Sequence, residues 1–388
     1  MIACALASYT APWERSEHHN ILVEPPRPED ATTAETFYLA AKKRVGLLRW
    51  ALIDVQCLFF ASVYEKYALN PLQAWFYIQQ ASSRLQAHLK RVNKAQAFPE
   101  NYIGHTRLDQ VLQRVFWSVY KAEHELLPEL PFGSSGLEVF TRADSMFPSP
   151  PELDLGSDES SASGEWDAGS EERSWAFYFA EISIRRTITD TILTLYRKGE
   201  HYWLTHAHSL VRQCEECEDQ IQLWYSHLPA SIRFDQNGQP DSELSFFLQG
   251  RFYQWRSYIL RPMLYYVLHR SDAQGLTPQV LACAQEIVSV CAESIVHYNR
   301  HHRHGGTWFT CRGTFSSALL ILAVVLKAEP NLPPPSDWDT LLAIAVSTLQ
   351  KWEAQSADIH KLRITLQRLV STVCRIMAVS ITPFESIQ

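Results

Sequence analysis

The amino-acid sequence predicts an all-α protein, and three observations support this fold class. Twelve Trp against only fourteen Gly, with 46% hydrophobic and 12% aromatic residues, indicate a bulky core and exclude global disorder. Apolar residues recur at spacings of three and four through most of the 388 residues, as they do on the buried face of a helix. No segment shows the alternation of apolar and polar residues that is typical of a half-buried strand.

The strongest helix signal lies in the segment that precedes Pro128. Its apolar residues fall on one helix face: Leu108, Val111, Leu112, Val115, Phe116, Trp117, Val119 and Leu126. We expect this face to be buried and the charged residues beside it to be solvated. These charged residues are Lys121, Glu123 and Glu125. Because proline lacks a backbone donor and clashes with the preceding turn, the helix must stop or kink at Pro128, and an extended segment follows to Pro151.

The N-terminal part predicts an extended segment followed by three helices. Residues 1–30 are weakly patterned and rich in proline towards their end, so we expect them to be extended. Residues 33–68 predict two helices with a break near Gly46. Asn70-Pro71 predicts the start of a third helix, which runs to about Val92, because proline is well tolerated in the first turn.

Helical spacing resumes after residue 172 and continues almost to the end of the chain. The predicted helices span residues 175–197, 204–228, 244–269, 278–300, 312–328, 337–353 and 356–379. Pro262 lies inside one of them, so we expect a kink near Ile259.

An acidic segment, residues 152–172, separates the two helical parts. It carries eight Asp or Glu, no Lys or Arg, and a filler of Ser and Gly, so it cannot bury apolar surface and is predicted to be disordered. A solvated loop is the favoured interpretation, although the isolated Leu153, Leu155 and Trp166 are also typical of activation or docking sequences. The predicted organisation is an N-terminal segment (1–30), two parts of one helical domain (31–151 and 173–382), the acidic linker between them, and a tail (383–388).

Charge and cysteine content limit the classes of function. A formal net charge of −7 gives no general attraction to nucleic-acid phosphates. The eight cysteines are scattered through helical segments, and we expect them to be buried free thiols in a reducing compartment. No secretory signal is recognisable, and the longest apolar run, 318–326, is too short to span a bilayer, so a soluble intracellular protein is expected.

Several short motifs are spread along the chain, and we give them in sequence order. In the first part they are Val115-Phe116-Trp117-Ser118-Val119-Tyr120-Lys121, Glu125, Leu130-Pro131, Ser135-Gly136 and Phe147-Pro148-Ser149-Pro150-Pro151. In the second part they are Trp175, Tyr178, Glu181-Ile182, Arg185-Arg186, Leu223-Trp224, Leu228-Pro229, Arg261-Pro262-Met263-Leu264-Tyr265-Tyr266, His302-Arg303-His304-Gly305, Trp308-Phe309 and Arg312. Together this series resembles the middle homology region of fungal binuclear-zinc-cluster transcription factors, over about residues 35–325.

The resemblance implies an all-helical regulatory domain that acts in the nucleus. It implies contact with protein partners of the transcription machinery or with an intact zinc-cluster factor, and control by such a partner or by a small-molecule effector. It implies no membrane association and no cofactor. Two alternatives remain: a transcriptional co-regulator without a DNA-binding domain (a headless co-regulator), and a helical protein that binds a small molecule.

The DNA-binding head of this family, a six-cysteine cluster that holds two zinc ions, is absent from the sequence. The only CxxC unit is Cys214–Cys217, which is flanked by acidic residues and has no second pair nearby. We therefore favour the interpretation that these are two partly buried cysteines on a helix, and not ligands of a metal ion. DNA contact is therefore expected only through a missing domain or a partner. Either the chain is a truncated factor, or it works without a head.

A histidine cluster raises a second possible metal site. His297 and His301 are four residues apart, which would place two imidazoles on one helix face, and His302 and His304 follow. Between His297 and His304 the sequence has no carboxylate or thiol. The favoured interpretation is therefore structural: a His- and Arg-rich helix end that Gly305-Gly306 stops.

Aromatic residues with two arginines offer a candidate effector pocket, although ordinary core packing explains them as well and is favoured. The candidate pocket residues are Trp117, Tyr120, Trp255, Arg261, Tyr265, Tyr266, Trp308 and Arg312.

Catalysis is not expected, although an all-α enzyme such as a terpene cyclase is the remaining alternative. The aspartate-rich helix face that such an enzyme needs to bind magnesium and a diphosphate is missing from the sequence. A glycine-rich phosphate loop and a Gly-x-Ser-x-Gly elbow are missing as well.

Overall fold

A computed structural model describes residues 1–10, 28–95, 107–142, 148, 168–236, 238–270 and 276–381. Within these ranges the chain forms thirteen α-helices and three short 3₁₀ helices, without a strand. The predicted all-α fold class is confirmed. Residues 152–167 of the acidic segment and the tail, 383–388, lie outside the described residues, so their predicted disorder is not tested.

The fold divides into two compact units. The first unit takes the described parts of Met1–Pro12, Pro25–Arg186 and His227–Leu248, and the second takes those of Thr187–Ser226 and Gln249–Gln388. This division differs from the boundary at the acidic segment that the sequence suggests, since residues 173–186 and 227–248 belong to the first unit. The two units are described separately below.

The first unit is built around a pair of neighbouring helices, α3 and α4. Its helices are α1 (Ile2–Tyr9), α2 (Pro28–Lys42), α3 (Leu52–Tyr67), α4 (Pro71–Ala95), α5 (Arg107–Leu126) and the first part of α6 (Ala168–Leu195). Helix α4 packs along α3, helix α1 packs on α2 and α3, and α5 packs on α3 and α4. The predicted break near Gly46, the start at Pro71 and the stop before Pro128 are confirmed.

The connection between α3 and α4 uses an unusual backbone conformation. Leu69 has a φ of 58°, the left-handed region in which glycine is the ordinary residue. Its side chain is only 3% exposed, so apolar burial offsets the backbone cost. The Asn70 amide donates to the Glu65 carbonyl at 2.8 Å and closes the end of α3.

The second unit is built around α11. Its helices are the last part of α6, α7 (Gly199–Thr205), α8 (Ala207–Ser226), most of α9 (Glu243–His269), α10 (Pro278–Tyr298), α11 (Thr307–Lys327), α12 (Trp338–Gln350) and α13 (Ala357–Ile381). Helix α11 packs against α10, α12 and α13. Thr277 caps α10, because its hydroxyl accepts a hydrogen bond from the Val280 amide and Pro278 occupies the first helical position.

Several predicted boundaries are corrected by the structure. The segment predicted as extended over residues 1–30 contains α1, which buries Ala5, and α2 already begins at Pro28. Helix α7 was not predicted, because seven residues are too few to show periodicity. Helix α6 begins at Ala168, inside the predicted linker. A short 3₁₀ helix, Leu137–Arg142, interrupts the segment predicted as extended after Pro128.

Among the described residues, two helices are long and apolar enough to cross a membrane by length and composition, whereas the sequence analysis considered only the uninterrupted apolar run 318–326. They are Pro278–Tyr298 and Thr307–Lys327, and half of the relevant window of each is buried inside the protein. The core helix of a soluble protein meets the same criteria, so these two helices are weak evidence for a membrane protein.

Candidate functional site

The eight candidate pocket residues divide between the two units, two in the first and six in the second. In the first unit, Trp117 and Tyr120 lie on α5 and are 0% and 4% exposed. Their rings make an edge-to-face contact with centroids 5.4 Å apart, and Tyr120 also stacks on His124. The Arg186 guanidinium lies over the Trp117 ring at 5.9 Å. Both aromatic side chains are therefore core residues of the first unit.

In the second unit, α9 carries four of the candidates. The Trp255 indole is fully buried and donates to the Thr191 hydroxyl at 2.9 Å. Arg261 donates to the Ser257 hydroxyl, one turn earlier on the same helix. Tyr266 is buried, whereas Tyr265 is half-buried and donates to the Glu200 carboxylate at 2.9 Å. This hydrogen bond raises the pKa of Tyr265.

The remaining two candidates, Trp308 and Arg312, lie one turn apart at the start of α11. The Trp308 indole donates to Oδ2 of Asp358 at 2.9 Å, which ties α11 to the first turn of α13. The Arg312 guanidinium lies 5.3 Å from the centre of the Trp308 ring. Each candidate thus has a packing or hydrogen-bonding role, and whether any of them binds an effector stays a prediction.

Buried charges on α5 were missed by the sequence analysis, which placed Glu123 and Glu125 at a solvated edge. That expectation is wrong, because the Glu125 side chain is only 11% exposed and lies between two cations. Its carboxylate is 2.6 Å from Lys66 Nζ and 3.7 Å from Arg185 Nη2. The cations are 7% and 2% exposed. Helices α3, α5 and α6 are therefore joined by a buried ionic cluster.

Glu123, which is fully buried, organises the loop after α5. Its carboxylate accepts hydrogen bonds from the Ser82 hydroxyl at 2.7 Å and from both the amide and the hydroxyl of Ser135, at 2.6 and 2.7 Å. Gly136, which follows Ser135, has a φ of +91°, which glycine adopts without strain. The sequence analysis did note Ser135-Gly136 as part of the motif series. It did not identify Glu123 as their partner, because the amphipathic pattern placed Glu123 at the solvated edge of the helix.

The CxxC pair lies on α8 and is buried. Cys214 and Cys217 are 1% and 8% exposed, and the Cys214 thiol donates to the Ile259 carbonyl at 3.1 Å. Burial raises the pKa of both thiols, which keeps them protonated. All eight cysteines are free, but Cys4 and Cys374 are exposed and Cys57 and Cys283 are half-buried, so the expectation that all are buried is confirmed only for the other four.

The four histidines form the junction between α10 and α11. Helix α10 ends at Tyr298, so His297 and His301 do not share a helix face, and Gly305-Gly306 is not its stop. Gly306 instead precedes α11 as its N-cap, and its amide donates to His304 Nδ1 at 2.8 Å. Nδ1 of His301 hydrogen-bonds the Tyr298 carbonyl. Burial lowers the pKa of His301 to about 3, so its ring is neutral.

No group of three or more His, Cys, Asp or Glu side chains within the described ranges is arranged to hold a metal ion.

The described residues of the first unit form two cavities of note. One, of about 240 Å³, is half open to solvent and is lined by residues of α1, α2, α3, α4 and the turn after α2, and we name it the α1–α3 cavity. The other, of about 280 Å³, lies between α3 and α5 and is lined by Gln56, Phe59, Phe60, Val111, Arg114, Val115 and Ser118. Neither cavity is lined by any of the eight candidate residues.

Comparison of the chain with protein-family models, with curated proteins and with solved structures finds no match in any of the three. The resemblance to the zinc-cluster family therefore rests on the ordered motifs alone.

Proposed function

We propose that this chain is the regulatory domain of a fungal zinc-cluster-type transcription factor, which controls transcription in the nucleus through an effector or a partner and not by its own contact with DNA. The observation that carries the proposal is the motif series itself, whose members recur in a fixed order over about residues 35–325. A catalytic role is not proposed.

The contacts made by motif residues support the proposal. Glu125 pairs with the motif residue Arg185 across α5 and α6, and the motif residue Trp308 bonds α11 to α13. Ser135 is held by Glu123. Motif residues thus take part in contacts that fix how the helices of each unit pack. In a regulatory domain of this kind, an effector or partner acts by favouring one packing arrangement over another.

The first test is the 5′ end of the transcript. A reading frame that continues upstream into paired CxxC units among Lys and Arg supports a truncated factor. A message that begins at Met1 excludes the truncated factor. The proposal is then that the chain is a regulator without its own DNA-binding domain, which pairs with an intact factor.

A reporter assay tests the regulatory role in either case. Residues 1–388 are fused to an unrelated sequence-specific DNA-binding domain in a fungal host, with that domain alone and that domain fused to an unrelated helical protein as matched controls. We expect the fusion to change reporter transcription several-fold relative to both controls. A stable, nuclear fusion that leaves transcription at the control level, on both a silent and an active promoter, contradicts the proposal.

A further inference from the structure

The α1–α3 cavity has mostly apolar walls. Its lining residues are Met1, Ile2, Tyr38, Ala41, Lys42, Arg44, Val45, Leu48, Cys57, Ala61 and Tyr77. Of the lining residues, Tyr38, Ala61 and Tyr77 are buried and Cys57 is half-buried, and we call these four the floor of the cavity. Apolar walls with a few polar groups are typical of small-molecule sites.

The polar groups of the floor are uncharged. Burial, and then the nearby Asp54 carboxylate, raises the pKa of the Cys57 thiol, which therefore stays protonated. Burial, followed by its hydrogen bond to Glu65, raises the pKa of the Tyr38 phenol. The Tyr38 hydroxyl is already committed to Glu65, so the floor offers a ligand apolar surface and little else.

Among the side chains that line the cavity, the charged ones, Lys42 and Arg44, are both cations. Lys42 and Arg44 are exposed and lie two residues apart where α2 ends. Lys42 Nζ lies 6.0 Å from the centre of the Tyr38 ring, and Arg44 donates through Nη1 to the Ala40 carbonyl. The nearest buried carboxylate, Glu65, accepts from Tyr38 and Asn70, and burial raises its pKa. The rim of the cavity is therefore positive and its interior apolar.

We propose that the α1–α3 cavity binds a medium-chain carboxylic acid, with the hydrocarbon inside the cavity and the carboxylate at Lys42 and Arg44. A closed cavity of about 150 Å³ accommodates benzene, so by volume alone this half-open cavity of about 240 Å³ has room for a hydrocarbon of about eight to ten carbons. The carboxylate interacts with both cations, while the chain replaces empty space with apolar contacts.

This site is distinct from the eight aromatic and arginine candidates, none of which lines the cavity. It also does not rest on the proposed transcriptional role, because ligand binding is measured on the purified chain without DNA or a partner. Failure of the reporter assay and failure of the binding assay are therefore separate results.

Calorimetric titration of the full chain with butanoate, hexanoate, octanoate and decanoate tests the proposal. Each added methylene should tighten binding about fourfold until the cavity is filled, and longer acids should gain no more. Octanol, which has a chain of equal length without the charge, should bind at least about fivefold more weakly than octanoate. No detectable binding of octanoate at millimolar concentration, or equal binding of octanol, would overturn the proposal.

Three variants locate the site. Lys42→Ala should weaken octanoate binding about threefold to fivefold and leave octanol unchanged, whereas Lys43→Ala, an exposed neighbour that does not line the cavity, should change neither. Ala41→Phe should fill the cavity and abolish binding of both probes. Since Lys42 is exposed, its variant should retain the fold, which the melting temperature checks. If Lys42→Ala and Lys43→Ala change the affinity for octanoate equally, the carboxylate does not bind at Lys42 and the proposal is contradicted.

Discussion

Helix α5 of the first unit and helix α11 of the second unit are buried in different ways. Helix α11 buries mainly apolar side chains, and its buried polar residues are the neutral Thr307, Thr314 and Ser317. Helix α5 buries Trp117 and Val119 but also Glu123 and His124, which are 0% and 4% exposed. Helix α5 thus buries ionisable side chains where α11 buries apolar and neutral polar ones.

This difference has a direct energetic consequence. An apolar helix loses stability in proportion to the contacts that a substitution removes, and its neighbours can partly close the gap. A buried ionic cluster contributes little net stability when it is complete, because desolvation offsets attraction, yet it becomes costly when one member is lost. We therefore expect α5 to be the more sensitive helix at its charged positions.

The largest expected effect is at Glu125. Glu125→Ala should lower the free energy of unfolding by about 3–5 kcal/mol, because it removes the carboxylate that faces both Lys66 and Arg185 in a buried setting. Urea unfolding followed by circular dichroism measures the change. The double variant Lys66→Met, Glu125→Leu should lose less than Glu125→Ala. A loss below about 1 kcal/mol for Glu125→Ala, similar to that of an exposed pair, would show that the cluster is solvated.

The matching change in α11 should cost somewhat less. Ile321 is 0% exposed, and Ile321→Ala should lower the free energy of unfolding by about 3 kcal/mol through lost burial and the cavity left behind. Ile321→Val, which removes one methylene, is the matched control and should cost about 1 kcal/mol. Equal losses for the two variants would contradict close packing around α11.

A third comparison uses pH and the buried histidines of the two units. Burial lowers the pKa of His301 to about 3 and lowers that of His124 as well, with Glu123 partly offsetting the effect. The unfolded chain binds a proton at each of these positions below about pH 6.5, so stability is complete above that pH and falls as the pH drops towards the folded pKa.

At pH 5, His301 alone should therefore account for about 2 kcal/mol of lost stability relative to pH 7. His301→Asn should flatten the dependence of unfolding free energy on pH over this range, and His124→Asn should flatten it less. Parallel pH profiles for wild type and His301→Asn would show that this ring is accessible to protons in the folded state.

The smallest expected effect is at the contact between α11 and α13. Trp308→Phe should lower the free energy of unfolding by about 1.5 kcal/mol, because it removes the hydrogen bond to the Asp358 carboxylate while keeping an aromatic ring. Asp358→Asn keeps an acceptor and should cost less. A cost for Asp358→Asn that equals or exceeds that of Trp308→Phe would indicate that the charge of Asp358, and not its role as an acceptor, matters.

The sequence was informative where one physical signal dominated. Proline at the first turn located the start of α4, and the apolar period located α11, although its first five residues were missed because Gly305-Gly306 were assigned to the end of α10. It was uninformative where burial depended on distant partners. Glu123 is buried because Ser82 and Ser135 approach from elsewhere in the chain, and no local pattern encodes that approach.

The same limit applies to the candidate site. Aromatic and arginine residues were singled out by type, whereas the α1–α3 cavity is lined largely by Ala, Val, Leu and Tyr, which are ordinary core residues in any sequence. A cavity is a property of how helices meet, so composition and spacing do not reveal it.

Leu69, at the connection between α3 and α4, reverses the usual ranking of substitutions. Its left-handed backbone disfavours β-branched residues most strongly, so isoleucine and valine, the closest chemical relatives of leucine, should be the poorest replacements. Glycine and asparagine suit the backbone but lose the buried side chain. Scoring schemes that equate leucine with isoleucine will therefore misjudge which variants of this connection can persist, and searches for helix ends that rely on glycine will pass over it.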